Sequence, residues 1–216
     1  MGITRILHAA GNYRGTLPLA AHPDVDAIEA DVWLRAGKVF VNHARPLGPL
    51  PYTIGIDGIR REERDCVDVA QLIEAVDGCA QLVLDLRSWV GDPAPDLVRV
   101  LDPVPDSSHL VVTCESWPIA DRLRAWLPEL RVFYSVRSEG QLRRYVQGRI
   151  GGGLPQTPVT VHHKLLRSPT EVASLQRWAG VVWVWTVDEE ARAQELREWG
   201  VHGVTSNRVE VLGALS

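Results

Sequence analysis

Cysteine is scarce in this sequence of 216 residues, which contains only 3. Cys66, Cys79 and Cys114 are odd in number and have no C-x-x-C spacing, which excludes a disulfide framework or a zinc ribbon as the organising element. The sequence also lacks a run of roughly 18 consecutive apolar residues, so we expect no membrane-spanning helix. Arg5 and His8 interrupt the apolar residues near the start. We therefore expect no signal peptide and a cytoplasmic protein.

An excess of positive charge is missing as well. Lys and Arg total 23 against 27 Asp and Glu, which gives a net charge of −4. Because proteins that bind nucleic acid usually carry a basic face, we expect no nucleic-acid partner. Hydrophobic residues make up 45% and charged residues 23% of the chain, which excludes a disordered or low-complexity protein. We predict one domain spanning residues 1–216, and the composition leaves the oligomeric state open.

Short apolar runs rich in β-branched residues alternate with segments of helical period along the chain. This alternation predicts an α/β protein with βαβ units and a parallel sheet. Eight such strands favour a closed (β/α)8 TIM barrel over an open sheet. A further extended piece, Val39–His43, predicts a hairpin with the second strand. The predicted strands are Thr4–His8, Ala27–Trp33, Gln81–Arg87, Leu110–Glu115, Val132–Ser135, Val159–His163, Val181–Val187 and Gly203–Thr205.

Four segments between these strands have the apolar spacing of amphipathic helices. Ser168 is a predicted N-cap, followed by Pro169 at the first helical position, and Gly200 is the predicted residue just after a helix end. The predicted helices are Val67–Val76, Ile119–Leu130, Pro169–Trp178 and Glu189–Trp199.

Two connections depart from a regular barrel. The segment between the first two strands contains Gly11, Gly15, Pro18 and Pro23, which disfavour a full α-helix and predict a shortened first helix. Residues 44–66 are rich in proline, glycine and charge, and we predict a long loop insertion over the barrel mouth.

Acidic residues occur inside two of the apolar strands. Side chains alternate along a strand, so Glu29 and Asp31 point to one face, about 6.5–7 Å apart along the backbone. Asp85 and Arg87 share a face of the third strand in the same way. Barrels of this class keep their active sites at the carboxyl ends of the strands. Carboxylates crowded there repel one another and are costly to bury without a counter-charge.

A divalent metal ion would supply that counter-charge. Glu29, Asp31 and Asp85 offer hard oxygen ligands, which favour Mg²⁺ or Ca²⁺. Arg87, beside Asp85, has the shape to bind a phosphate. His8 and His43 end the first strand and the hairpin piece, at the same predicted mouth. Together they predict a pair that exchanges protons near neutral pH.

The order of these residues, H…E-x-D…H…D-x-R, resembles that of the glycerophosphodiester phosphodiesterases. Residues 182–188, V-W-V-W-T-V-D, are similar to the W-T-V-N strand of that family. Residues 200–208, G-V-H-G-V-T-S-N-R, are similar to its closing G-V-D-G-I-I-T-D-R segment. Residues 110–131 also fit the spacing of the family, so the resemblance covers nearly the whole chain.

The resemblance implies a (β/α)8 barrel that uses a divalent metal to split a small-molecule glycerophosphodiester into glycerol phosphate and an alcohol. It also implies roles for individual side chains. The implied acid/base pair is His8 and His43, the metal ligands are Glu29, Asp31 and Asp85, the positive group near the phosphate is Arg87, and the pocket aromatic is Trp185.

The chain departs from the family pattern at several positions. The opening H-R-G reads H-A-A at residues 8–10, and Asn207 stands in place of the usual Asp. Glu115 stands where the family tends to have an aromatic residue and adds a fourth acid near the mouth. His163 ends the sixth predicted strand. We count Glu115 and His163, with Arg87 and Trp185, as candidate substrate-binding residues.

Two other functions stay open from the sequence. The missing arginine and the trimmed first helix suit a catalytically impaired barrel that binds a phosphorylated ligand. Glu115 with Glu29 or Asp85 suits a barrel glycosidase, which needs two carboxylates about 5–9.5 Å apart. A glycosidase would leave the two histidines without a role.

Overall fold

The structure is a computed structural model that describes residues 2–35, 37–47, 50, 52–55, 58–61, 67–88, 91–150 and 156–216. The strands of these residues are β1 (Thr4–Leu7), β2 (Ala27–Arg35), β3 (Lys38–Val41), β4 (Arg45–Pro46), β5 (Tyr52–Gly55), β6 (Gly58–Arg61), β7 (Gln81–Arg87), β8 (Leu110–Cys114), β9 (Arg131–Val136), β10 (Val159–His162), β11 (Val182–Trp185) and β12 (Gly203–Ser206).

Eight of the strands run parallel and close into a barrel. Their order is β1, β2, β7, β8, β9, β10, β11 and β12, with β12 hydrogen-bonded back to β1. The (β/α)8 prediction is therefore confirmed. The strand β2 runs past its pairing with β1, and its carboxyl half pairs antiparallel with β3, with Val32 opposite Val41. The predicted hairpin is present at this point.

Strand alternation divides the hydrophobic residues into two layers. Side chains inside the barrel form a small cluster of Ile6, Ala27, Val83, Val111, Phe133 and Trp183. The larger cluster lies between strands and helices, and along β7 it includes Leu82, Leu84 and Leu86. Val83 and Asp85 lie on the opposite face of β7 and therefore point into the barrel. The same alternation on β2 buries Ile28 and Ala30 outside and turns Glu29 and Asp31 toward the axis.

The helices alternate with the barrel strands as predicted. They are α1 (Val69–Val76), α2 (Ala94–Leu101), α3 (Trp117–Trp126), α4 (Glu139–Ile150), α5 (Pro169–Ala179), α6 (Glu190–Glu198) and α7 (Val209–Gly213). Ser168 caps α5 by accepting a hydrogen bond from the Glu171 N–H, and Gly200 follows α6 with a φ of 91°. In the part of the chain that the structure describes, no helix combines the length and apolar character needed to cross a bilayer.

The two irregular connections are where the sequence indicates them. Between β1 and β2 the chain forms two 3-10 helices, Ala10–Asn12 and Arg14–Ala21, in place of an α-helix. The insertion after β3 is more regular than the predicted loop, because β4, β5 and β6 form a small antiparallel sheet. Residues 48, 49, 51, 56, 57 and 62–66 of the predicted loop lie outside the described residues.

Aromatic side chains close the amino-terminal end of the barrel interior. The rings of Phe133 and Trp183 have centroids 4.4 Å apart, and both are almost fully buried. The Trp183 ring covers Gly203 on the neighbouring strand, so that a Cβ atom at residue 203 would lie 2.5 Å from Trp183 Cδ1. This close approach requires glycine.

We expect Gly203→Ala to destabilise the barrel by about 1–3 kcal/mol, because the added methyl group overpacks the Trp183 ring. Urea unfolding followed by tryptophan fluorescence measures the difference. Gly148→Ala is the matched control, since a Cβ there meets nothing within 4 Å and alanine favours the helix α4. Equal stability of the wild type and Gly203→Ala would contradict the close packing.

Candidate active site

The carboxyl ends of the barrel strands surround a cavity with a polar wall. The acids Glu29, Asp85 and Glu115 line it together with Arg87 and His8. Five hydroxyl side chains, Thr113, Ser135, Thr160, Thr186 and Thr205, complete much of the remaining wall. Acidic groups therefore outnumber the single arginine among the described lining residues.

Glu29, Asp31 and Asp85 come together because β2 and β7 are neighbours in register. Asp31 pairs with Asp85 across the parallel ladder, and Glu29 lies two residues earlier on the same face. One carboxylate oxygen from each of the three residues lies within 4.8 Å of the other two. Glu29 and Asp31 are only 5% and 1% exposed. The structure thus brings the three predicted metal ligands into one largely buried group.

Of the three acids Glu29, Asp31 and Asp85, Glu29 has the least positive charge around it. Its Oε2 accepts a hydrogen bond of 2.7 Å from the backbone N–H of Ala9, and His8 Nε2 lies 3.8 Å from the same oxygen. Burial, and then the negative charges of Asp31 and Asp85, raise the pKa of Glu29 well above its ordinary range. Ala9 adopts a left-handed conformation with a φ of 56°, which is uncommon for alanine and typical of strained functional positions.

Asp31 is surrounded by nitrogen donors. Its Oδ1 lies 2.9 Å from both Nε and Nη2 of Arg87, and Nε donates a hydrogen bond. Its Oδ2 accepts a hydrogen bond of 3.0 Å from Asn12 Nδ2 and lies 2.9 Å from His43 Nδ1. Burial would raise the pKa of Asp31, but the His43 hydrogen bond and the Arg87 charge outweigh it and lower that pKa. Asp31 is therefore held as a carboxylate.

Arg87 links Asp31 to Asp85 and to Glu115. Its Nη2 lies 2.7 Å from Asp85 Oδ2, and its Nη1 lies 3.6 Å from Glu115 Oε1. The other oxygen of Asp85 accepts a hydrogen bond of 2.7 Å from Thr113 Oγ1. Burial raises the pKa of Asp85, and the charge of Arg87 only partly offsets that rise. For Arg87, burial would lower the pKa, but the surrounding acids raise it above its ordinary value.

The donor set of this group fits a hard divalent cation. Carboxylate oxygens are the ligands that Mg²⁺ and Ca²⁺ prefer. Glu29 is the deciding residue, because among the described residues no cationic side chain lies within hydrogen-bond distance of its buried carboxylate. A divalent cation would remove the repulsion that raises the pKa of Glu29. Glu29, Asp31 and Asp85 would hold such an ion.

A hydrogen-bond chain orients the ring of His8. Its Nδ1 lies 2.7 Å from Asn207 Oδ1. The carboxylate of Asp188 accepts hydrogen bonds from the backbone N–H and from Nδ2 of Asn207, at 2.8 and 2.7 Å, which fixes the orientation of the amide. Because an amide oxygen only accepts hydrogen bonds, Nδ1 of His8 carries the hydrogen. In the neutral ring, Nε2 is therefore free to accept a proton beside Glu29.

His43 is held in the same manner by Asp31. The hydrogen bond from His43 Nδ1 to Asp31 Oδ2 raises the pKa of His43 above its ordinary value. The rings of His8 and His43 are nearly perpendicular, with centroids 5.8 Å apart. The structure thus places the two predicted histidines side by side, each with Nδ1 bound to a partner.

We expect neutral His8 to be a single tautomer with its hydrogen on Nδ1, and Asn207→Ala to abolish that preference by removing the acceptor. Long-range ¹H–¹⁵N correlation spectra of the histidine rings measure the tautomer. His202 is an internal reference of the opposite tautomer, because its Nδ1 accepts a hydrogen bond from the Val182 N–H. An Nε2–H tautomer of His8 in the wild type would contradict the hydrogen-bond chain.

Comparison with known families agrees with this geometry. The model of the glycerophosphoryl diester phosphodiesterase family matches residues 96–211, which is more than half of the chain. The chain belongs to this family. Its members are phosphoric diester hydrolases, and this glycerophosphoryl diester phosphodiesterase shares that enzyme class. No match was found among curated proteins.

Solved structures share the barrel of this phosphodiesterase. A glycerophosphodiester phosphodiesterase from Parabacteroides distasonis is 19% identical, with a TM-score of 0.76, over 98% of this chain and 95% of that chain. The enzyme from Thermotoga maritima is 16% identical, with a TM-score of 0.74, over 100% and 99% of the two chains. An Oleispira antarctica phosphodiesterase in complex with the product sn-glycerol-3-phosphate is 17% identical, with a TM-score of 0.75, over 98% and 96%. At these identities the likeness shows the fold.

Two further candidate residues line the cavity of the phosphodiesterase. Trp185 has a buried indole Nε1 that makes no hydrogen bond to the described residues, and the ring of His162 packs edge-on against the indole. Glu115 pairs through Oε2 with Arg137 Nη1 at 3.3 Å. Its Oε1 is buried and accepts no hydrogen bond from the described part of the chain.

The structure does not bring His163 into the cavity of the phosphodiesterase. The strand β10 ends at His162, and His163 begins a 3-10 turn in which its carbonyl accepts a hydrogen bond of 2.9 Å from Arg192 Nη2. Alternation along β10 turns Thr160 into the cavity wall instead. Burial, followed by the charge of its neighbours, lowers the pKa of His163 to about 4, so that its ring is neutral near pH 7.

Two residues that hydrogen-bond to the candidate site residues are absent from the candidates that the sequence suggests. Asn12 lies in the first 3-10 turn, and it both donates to Asp31 Oδ2 and accepts from the Asp31 N–H at 2.9 Å. Nothing in its sequence context indicates that role. Asp188 orients Asn207. The feature of the sequence that could have identified Asp188 is its position at the end of the W-T-V-D motif.

Proposed function

We propose that the chain hydrolyses glycerophosphodiesters to glycerol phosphate and an alcohol, with His8 and His43 as the acid/base pair. The observation that carries this proposal is the convergence of two oriented histidines on a buried group of three carboxylates at one barrel mouth. Family membership supports the reaction class. The related Oleispira antarctica enzyme, which holds sn-glycerol-3-phosphate as its product, supports the substrate class.

Charge neutralisation is the first requirement, because the substrate is an anion. Glu29, Asp31 and Asp85 would hold a divalent cation, Mg²⁺ or Ca²⁺, which would supply Lewis-acid stabilisation of the negative charge. The chain adds the positive charge of the Arg87 guanidinium near the phosphate. The five hydroxyl groups of the wall offer further hydrogen bonds to a polar substrate.

The two histidines divide the proton transfers. His8 Nε2 accepts the proton of the nucleophile, a water or a neighbouring substrate hydroxyl, while Asn207 holds Nδ1–H. His43 is the acid, since its hydrogen bond to Asp31 stabilises the protonated ring. His43 then donates the proton to the departing alkoxide. In this proposal His8 starts with Nε2 unprotonated, and His43 starts as the protonated ring that Asp31 stabilises.

We expect His8→Ala and His43→Ala each to lower kcat for glycerophosphocholine by about 100-fold to 10,000-fold, since each removes a proton-transfer group. Choline release measures the rate, with and without added Mg²⁺, Ca²⁺ or Mn²⁺ after chelation. His22→Ala is the control, because that histidine contacts Asp24 at the amino-terminal side of the barrel.

The same assay tests the alternative that the barrel only binds a phosphorylated ligand. Calorimetric binding of glycerol phosphate without turnover of any phosphodiester would contradict the proposal and favour that alternative. Turnover that neither chelation nor His8→Ala reduces would contradict the proposed site.

We expect Trp185→Phe to raise KM by about 3-fold to 10-fold with little change in kcat, because the indole N–H makes no hydrogen bond within the described part of the chain and is placed to bind a substrate oxygen. Steady-state kinetics separate the two parameters. Phenylalanine keeps most of the apolar ring, so an unchanged KM would show that the N–H does not bind the substrate.

A further inference from the structure

Arg87 makes close contacts to the same carboxylates that a divalent cation would use. Its Nη2 lies 2.9 Å from Asp31 Oδ1 and 2.7 Å from Asp85 Oδ2, and its Nε donates a hydrogen bond to Asp31 Oδ1. The guanidinium therefore spans two of the three predicted metal ligands. Glu29, the third, has no contact of this kind.

Nitrogen atoms crowd both oxygens of Asp31, through three hydrogen bonds and one further ion-pair contact. A carboxylate offers about four lone-pair sites, and four nitrogen atoms, from Arg87, Asn12 and His43, lie within 3.0 Å of the two Asp31 oxygens. A metal ion that binds Asp31 would therefore compete with these partners. Among the three, Arg87 always carries a positive charge and is repelled by a divalent cation.

Glu115 is placed to receive the displaced guanidinium. Its Oε1 is buried, accepts no hydrogen bond from the described residues, and lies 3.6 Å from Arg87 Nη1, slightly too far for a hydrogen bond. Arg137 holds the other oxygen of the same carboxylate at 3.3 Å. A small shift of Arg87 would bring Nη1 within hydrogen-bond distance of Glu115 Oε1.

We propose that Arg87 has two positions and competes with the divalent cation. In one position it binds Asp31 and Asp85, and in the other it binds Glu115 while the cation takes the two aspartates. The affinity of the chain for the cation then depends on the free energy of moving Arg87 between these carboxylates. This inference rests on the proposed metal site, and it gives Glu115, a departure from the family pattern, a specific role.

Calorimetric titration of the full chain with Ca²⁺ and with Mn²⁺ tests the competition without an activity measurement. We expect Arg87→Met to tighten cation binding by about tenfold or more, because the charged contacts to Asp31 and Asp85 no longer have to be broken. We expect Arg87→Lys to tighten it as well, since lysine keeps the charge but loses the planar fork that spans both aspartates.

Glu115→Gln and a matched charge control complete the experiment. Glu115→Gln should weaken cation binding in the presence of Arg87 by about tenfold, and much less in the Arg87→Met background, because only Arg87 needs the second position. Arg137→Met removes the positive charge that pairs with Glu115 but no contact to Asp31 or Asp85. It should therefore change the affinity by less than about threefold.

The outcomes separate this inference from the proposed function. If the wild type binds the cation and Arg87→Met binds it equally or more weakly, Arg87 organises the ligands and the competition is refuted. Equal effects of Glu115→Gln in both backgrounds would refute the second position. If neither the wild type nor Arg87→Met binds any divalent cation, the metal site and the competition both fail. Far-ultraviolet circular dichroism of each variant checks that it is folded.

Discussion

The repulsion between buried carboxylates at the barrel mouth is the constraint on which the rest of the site depends. Glu29, Asp31 and Asp85 place their oxygens within 4.8 Å of one another, where two ionised groups destabilise each other without positive charge. Arg87 and His43 supply hydrogen bonds and charge to Asp31, and the Asn12 amide supplies a further hydrogen bond, while Glu29 accepts only the backbone N–H of Ala9 from the residues that the structure describes. This unequal distribution explains why the pKa of Asp31 falls while the pKa of Glu29 rises.

The barrel makes this concentration of charge possible because its other layers are apolar. Trp183 and Phe133 fill the interior at the amino-terminal end, and the outer faces of β2 and β7 are buried under helices. The acids of the candidate site lie instead at the carboxyl ends of the strands, around the cavity found there. The aromatic packing that stabilises the barrel and the candidate active site therefore lie at opposite ends of the same eight strands.

Partners remote in the sequence set the chemistry of the two histidines. His8 and Asn207 are separated by 199 positions, and they meet because β12 pairs with β1 to close the barrel. His43 reaches Asp31 because β3 folds back on β2. Each contact holds Nδ1, so closure of the barrel and formation of the hairpin decide which ring nitrogen would be left for the proposed proton transfer.

The sequence by itself determined the order of the barrel strands, four of the helices, the barrel class, the hairpin and the faces of Glu29, Asp31, Asp85 and Arg87, because alternation and helical period are local properties of the chain. It did not predict α2, α4 or α7. It did not determine the small sheet of β4, β5 and β6, since glycine and proline obscure such short strands. Nor did it predict Asn12, Asp188 or the displacement of His163 from the cavity, which depend on where β10 ends and on contacts between remote segments. Only the tertiary structure decided how Arg87 is shared among the acids, because side-chain geometry across neighbouring strands has no periodic signal.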